Sequence, residues 1–164
     1  MNKWLEFLKN NDFIGIKKYI KDGADVNDAE ESVLALAMRY RCDFDLVMLL
    51  IDAGADIYDF DEEGVSIFEM AITYDNIEMV KQIIDKGVDV NNTQRRSRFT
   101  PLMTAACYGR TEIAKLLLEQ GADKSAKDSK GISVVDFARK MNKKSVLELL
   151  EYDKDAPQNR NYAR

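Results

Sequence analysis

Gly23-Ala24-Asp25-Val26-Asn27, Gly54-Ala55-Asp56-Ile57-Tyr58, Gly87-Val88-Asp89-Val90-Asn91 and Gly121-Ala122-Asp123-Lys124-Ser125 are four copies of one short signature. Their glycines lie 31, 33 and 34 residues apart. Self-similarity at about 33 residues marks a stacked repeat array, in which each unit buries its apolar face only against its neighbours. Such arrays present extended surfaces more readily than catalytic pockets. The period therefore directs the search for function towards recognition.

Outward from each signature, the same plan recurs. Ser32, Ser66, Thr100 and Ser133 each precede an apolar stretch and are placed to cap a helix by accepting an orphan backbone N–H. The fullest copy reads Thr100-Pro101-Leu102-Met103-Thr104-Ala105-Ala106-Cys107-Tyr108-Gly109. Proline at the first helical position loses no hydrogen bond, and Gly109 ends the helix. A second helix is expected over 111–120, stopped by Gly121, since glycine tolerates the left-handed conformation. Equivalent pairs are expected at 66–74 and 77–86, at 32–40 and 44–53, and at 133–141 and 145–151. A partial first pair is expected at 3–10 and 13–21. The turn around Arg41-Cys42-Asp43 is one residue longer than the others. From Tyr152 onward the chain is polar and unpatterned, and a disordered tail is expected over 153–164.

Thr100-Pro101-Leu102, Ala105-Ala106, Gly109, Leu117-Leu118 and Gly121-Ala122-Asp123 resemble the ankyrin-repeat motif, and the likeness extends over about residues 3–151. It implies an all-α solenoid of about five helix–turn–helix repeats with short loop fingers. As one domain over 1–152, the repeats would run 1–27, 28–58, 59–91, 92–125 and 126–152, the first and last acting as caps. The histidine usual after Thr-Pro-Leu is replaced by Ala35, Glu69, Met103 and Asp136. In the family that histidine links neighbouring repeats, so weaker interfaces are expected here. The resemblance also implies non-catalytic binding of a protein partner along a concave face.

Composition narrows the alternatives. The chain has no histidine, so neither a Ser-His nor a Cys-His pair can be built. Cys42 and Cys107 fit no metal spacing and no disulfide framework, which suggests a reducing cytoplasm. No apolar run approaches the ~18 residues of a membrane span, and the amphipathic N-terminus is not a signal peptide. The net charge of −5 hides a polarity. Residues 22–63 hold thirteen acids against two arginines, and residues 94–144 hold twelve bases against five acids. An acidic first half and a basic second half would steer a dipolar partner, or would simply keep the stack soluble. The acidic half argues against a nucleic-acid backbone. A monomer is expected.

Tyr40, Tyr74 and Tyr108 each stand eight residues after a capping residue, the place Met141 takes in the last repeat. On stacked helices they would form a ladder along the groove, either as recognition hot spots or as packing against the next repeat. Arg39, Thr73, Cys107 and Lys140 would share that surface. Arg95, Arg96 and Arg98, in a long loop finger, would supply charged contacts. Phe60 and Phe99 either anchor a partner at the fingertips or fold back on their repeats. Cys107 beside Ala106 reads as a small buried residue, not a reactive one.

A second class of function follows from a resemblance to small bacterial ankyrin proteins linked to catalase and to haem delivery. It would make catalase the partner and haem the cofactor. Tyr58, where the family has asparagine, would then be the ferric haem ligand, with Phe60 against the porphyrin. Asp59 and Asp61 would oppose a haem propionate. Otherwise Tyr58 is a loop tyrosine and no cofactor is required.

Overall fold

The structure, a computed structural model, describes residues 2–151; the tail expected over 153–164 lies outside them. Ten helices follow in five pairs: α1 (Lys3–Lys9) with α2 (Phe13–Lys21), α3 (Val33–Arg39) with α4 (Phe44–Asp52), α5 (Ile67–Thr73) with α6 (Ile77–Asp85), α7 (Pro101–Cys107) with α8 (Thr111–Glu119), and α9 (Val134–Lys140) with α10 (Lys144–Glu151). The first helices pack side by side in the order α1, α3, α5, α7, α9, and α6, α8 and α10 form part of a second row behind them. This is the all-α repeat solenoid expected from the period.

The first helices are only seven residues long; the inner three, α3, α5 and α7, are mostly buried, while α1 and α9 at the ends of the stack bury two residues each. Ala35, Ala37, Ala71, Ala105, Ala106 and Ala138 are among their buried side chains, and such small residues let neighbouring helices approach closely. Leucine, isoleucine and methionine fill the space towards the second row, with Leu46, Met79, Ile83 and Leu117 shut off from solvent.

The recurring signature has a local physical cause. Its glycine closes the second helix with positive φ, as at Gly54 (φ +97°). Its aspartate then accepts the backbone N–H two residues on: Asp25 from Asn27 at 2.9 Å, and Asp56 from Tyr58, Asp89 from Asn91 and Asp123 from Ser125 at 2.8 Å. This small turn sends the chain towards the next finger. Between them, Val26, Ile57 and Val90 point into the core. At the signature's last position, Asn27 donates to the Gly54 carbonyl (2.9 Å) and accepts the Asp56 N–H (3.2 Å) of the next repeat. Asn91 does the same to Gly121 and Asp123 (3.1 and 2.8 Å).

The capping residues perform unequally. Ser66, Thr100 and Ser133 accept from the third helical N–H, and Glu69, Met103 and Asp136 reach back to the cap's own N–H. Ser32 makes no such bond. Its φ of −49° and ψ of 126° depart from the extended geometry of the other three. Ala35, in the reciprocating place, has no acceptor. The first helices end alike, with Asn11, Arg41, Asp75, Gly109 and Asn142 all at positive φ. After Arg41, Cys42 is the extra residue of the longer turn, and its thiol donates to the Leu8 carbonyl (3.2 Å). Burial pushes that thiol's pKa up to about 11.

Candidate functional site

Two fingers share a hairpin. In Asp61-Glu62-Glu63-Gly64, the Asp61 carboxylate accepts the N–H groups of Glu63 and Val65, both at 2.9 Å. In Asp128-Ser129-Lys130-Gly131, Asp128 accepts those of Lys130 and Ile132 (2.9 and 2.8 Å). The finger between them replaces the aspartate by Arg95 and the glycine by Arg98, which takes a φ of +56°. With no carboxylate at this place, Thr93 accepts the Arg95 N–H (3.2 Å).

Arg95 is thereby free to turn inward. Its guanidinium lies 4.8 Å from the Phe99 ring centre and 3.5 Å from the Glu69 carboxylate of the preceding repeat. Glu69 is 0% exposed and also accepts from the Thr104 hydroxyl (3.4 Å). Burial raises its pKa; the Ser66 N–H, Arg95 and Thr104 pull it down. At one of the four positions where histidine is missing, a glutamate thus links repeats three and four.

The fingers and the first helices together enclose a groove in two joined segments. The segment towards the N-terminus, about 560 Å³, is floored by Ala35, Ile67 and Met70. Its walls carry Glu30, Glu31, Asp59, Asp61, Glu62 and Glu63. Arg39 is the one cation among its lining residues, and its two terminal guanidinium nitrogens donate to the two carboxylate oxygens of Glu31. Phe60, 51% exposed, stands in this segment. The other segment, about 550 Å³, runs past Tyr74, Cys107, Tyr108 and Met141, with Arg95 and Phe99 on the finger side.

The residues singled out from sequence are therefore sorted by the fold. Tyr74 and Tyr108 flank the groove, Tyr108 with 52% of its surface exposed. Arg39, Thr73 and Cys107 lie beside them, so Cys107, expected to be buried, is only half-buried because its side of α7 faces the groove; Met141 lines the groove in the last repeat. Tyr40 is half-buried against the core and lies under the Lys9 ammonium at 5.8 Å, among neither set of lining residues. The three arginines diverge. Arg95 enters the groove, Arg96 lies between two fingertips, and Arg98 faces a depression with Asn91 and Asp123. Phe99 packs edge-on against Phe137 at 5.0 Å. Glu69 and Phe60 are the groove residues that sequence patterns underweighted. The signal for Glu69 was a glutamate three places after a capping serine. Burial raises the Cys107 thiol's pKa even with Arg95 and Lys143 near, which disfavours a reactive thiolate.

The surroundings of Tyr58 do not fit a haem pocket. The residue is 60% exposed, and its hydroxyl donates to the Lys86 carbonyl (3.3 Å). Phe60, the ring expected against the porphyrin, lines the acidic groove segment. Tyr58 occupies the inter-repeat position of Asn27 and Asn91 and makes one bond where each of those makes two. Among the described residues no helix is long and apolar enough to cross a membrane.

Among known proteins, the E3 ubiquitin-protein ligase hecd-1 of Caenorhabditis elegans is 39% identical over 90 residues, 54% of this chain but 3% of its own length. The E3 ubiquitin-protein ligase Ufd4 of Drosophila melanogaster is 40% identical over 86 residues, 52% of this chain and 3% of its own. A putative ankyrin repeat-containing protein of Treponema pallidum (strain Nichols) is 31% identical over 109 residues, 66% of this chain and 36% of its own. The chain thus spans a small part of the two ligases and about a third of the Treponema protein. The family model for ankyrin repeats (three copies) matches residues 7–94, 34–128 and 68–161. These matches overlap from the first helix pair to the last, on a fold of five stacked pairs, and the chain belongs to the ankyrin-repeat family.

Proposed function

We propose that this chain, like ankyrin repeats in general a protein–protein interaction module and typically non-enzymatic, is a non-catalytic cytoplasmic monomer that holds a protein partner in the groove between its fingers and first helices. The observation that carries this is the pairing of Tyr74 and Tyr108 along one open groove that continues into the acidic segment. Tyrosine gives large contact area with few rotamers and a polar tip. Arg39, held by Glu31, and Arg95, held by Glu69, are fixed in place on the same surface and shape it before a partner arrives.

The test is affinity capture from source-cell lysate with wild type, Tyr74→Ala/Tyr108→Ala and Tyr40→Ala baits, each checked for folding by circular dichroism. A stoichiometric protein that is lost with the double variant and kept with Tyr40→Ala supports the groove. Equal capture by all three overturns it.

Haem binding through Tyr58, with catalase as partner, is the competing reading, and the exposed, hydrogen-bonded phenol weighs against it. A hemin titration followed at the Soret band decides it. A tight complex abolished by Tyr58→Asn favours this reading, and equal spectra for both proteins remove it.

A further inference from the structure

The groove is asymmetric along its length, and that asymmetry describes its occupant. At one end lie apolar and aromatic surfaces: Tyr74, Tyr108 and Met141. At the other lies a second apolar floor, Met70 and exposed Phe60, walled by carboxylates. The sole lining cation there, Arg39, is already neutralised by Glu31. Asp61 spends one carboxylate oxygen on its own hairpin, and Asp59 spends one on the Phe60 N–H (2.9 Å). Glu30, Glu62 and Glu63 are exposed and form no ion pair among the described residues. Towards the other end, Arg95 is paired to buried Glu69. An anionic ligand would therefore meet unpaired carboxylates at one end and an already engaged guanidinium at the other. A ligand cationic at one end and apolar at the other meets complementary surfaces throughout.

Resting on the groove reading above, we infer that the occupant is an extended peptide segment of a protein partner, with lysines or arginines over Glu30, Glu62 and Glu63 and large apolar side chains between Tyr74 and Tyr108. Helix α3 to helix α9 is three steps along the stack. At roughly 8–10 Å per step and about 3.3 Å per extended residue, the groove takes a segment of about eight residues. Apolar burial beside the tyrosines supplies affinity, and the carboxylate walls set its direction and speed its capture.

The experiment uses fluorescein-labelled eight-residue peptides, three lysines at one end and leucine and tryptophan at the other, made in both chain directions. Binding is followed by anisotropy at two salt concentrations. At least one direction binds wild type, and Glu30→Gln/Glu62→Gln/Glu63→Gln weakens it about tenfold and flattens its salt dependence. The control Asp45→Asn/Asp52→Asn/Glu78→Gln removes three exposed charges from the second helices and changes binding less than about twofold. Absence of binding to wild type, or equal weakening by both triple variants, overturns the inference. Tyrosine-dependent capture of a protein from lysate is scored separately. If that capture persists while the peptides fail, the peptide inference falls and the groove reading stands; if it too is lost, the groove reading falls with it.

Discussion

Glu69 shows how one residue changes the character of a repeat interface. A carboxylate that is 0% exposed is costly unless paired, and here a capping N–H, a threonine hydroxyl and Arg95 share the work. Burial remains the largest influence, so the folded protein keeps this proton to a higher pH than the unfolded chain. Unfolding then releases a proton, and the Glu69 contribution to stability falls as pH rises from the ordinary value of 4.5 to the folded value, and is flat beyond. Urea unfolding of wild type and Glu69→Gln between pH 4 and pH 7 checks this. The stability of wild type relative to the variant should decline across that window, by about 1.4 kcal/mol per unit of raised pKa. A difference that grows with pH contradicts it. Tyr58 poses the converse case, a bond that the family pattern offers and this chain lacks. Tyr58→Asn should recover the paired bonds seen at Asn27 and Asn91, adding about 1 kcal/mol of stability and raising Tm by about 2–4 °C in a thermal melt.

Helix ends and fingers are set by local chemistry, and the fingers also by their neighbours. Gly64 has a φ of +79°, and a Cβ there would stand 2.5 Å from the Gln94 carbonyl oxygen of the next finger. The two fingers therefore touch backbone to backbone at a place that admits no side chain. Gly64→Ala should lower stability by about 1–3 kcal/mol, measured by urea unfolding. Because the displaced atom is main chain, the fingertips should also separate, opening the junction of the two groove segments. Arg98, at the corresponding place in the next finger, is exposed and accepts its positive φ. The Ser97 carbonyl beside it receives the Ser129 N–H at 2.7 Å, so the fingers of repeats four and five are joined too.

At the level of the whole stack, each repeat is held by its neighbours, and the end repeats have only one. Repeats one and two are joined through Asn11 and Asp43 (2.6 and 2.9 Å) and the Cys42 thiol. Repeats three and four are joined more deeply, by Glu69 and by Arg110, whose guanidinium donates to the Thr73 carbonyl (2.7 and 3.2 Å). The only tryptophan, Trp4, is buried in the first pair, 4.9 Å from the Tyr19 ring. Its fluorescence should therefore change at lower urea than the far-ultraviolet circular dichroism, with α1 and α2 opening before α5 to α8. Coincident transitions would show a single cooperative unit instead.

The repeat period, the helix ends and the family were legible in the residues, because each depends on chemistry confined to a few neighbours. A glycine at positive φ, an aspartate bonding two residues on, and a serine or threonine capping its own helix need no distant partner. The longer turn at Cys42 was readable for the same reason. The groove was legible only in part. Tyr40, Tyr74 and Tyr108 share a repeat position, but the first repeat covers Tyr40 while Tyr108 stays open. Arg95, Arg96 and Arg98 are near in sequence, yet the finger's turn sends them to three different surroundings. Glu69 and Arg95 meet only because stacking brings one repeat's helix under the next repeat's finger. Contacts between repeats depend on rotation and spacing summed over the stack, and that information resides in packing, not in any local run of residues.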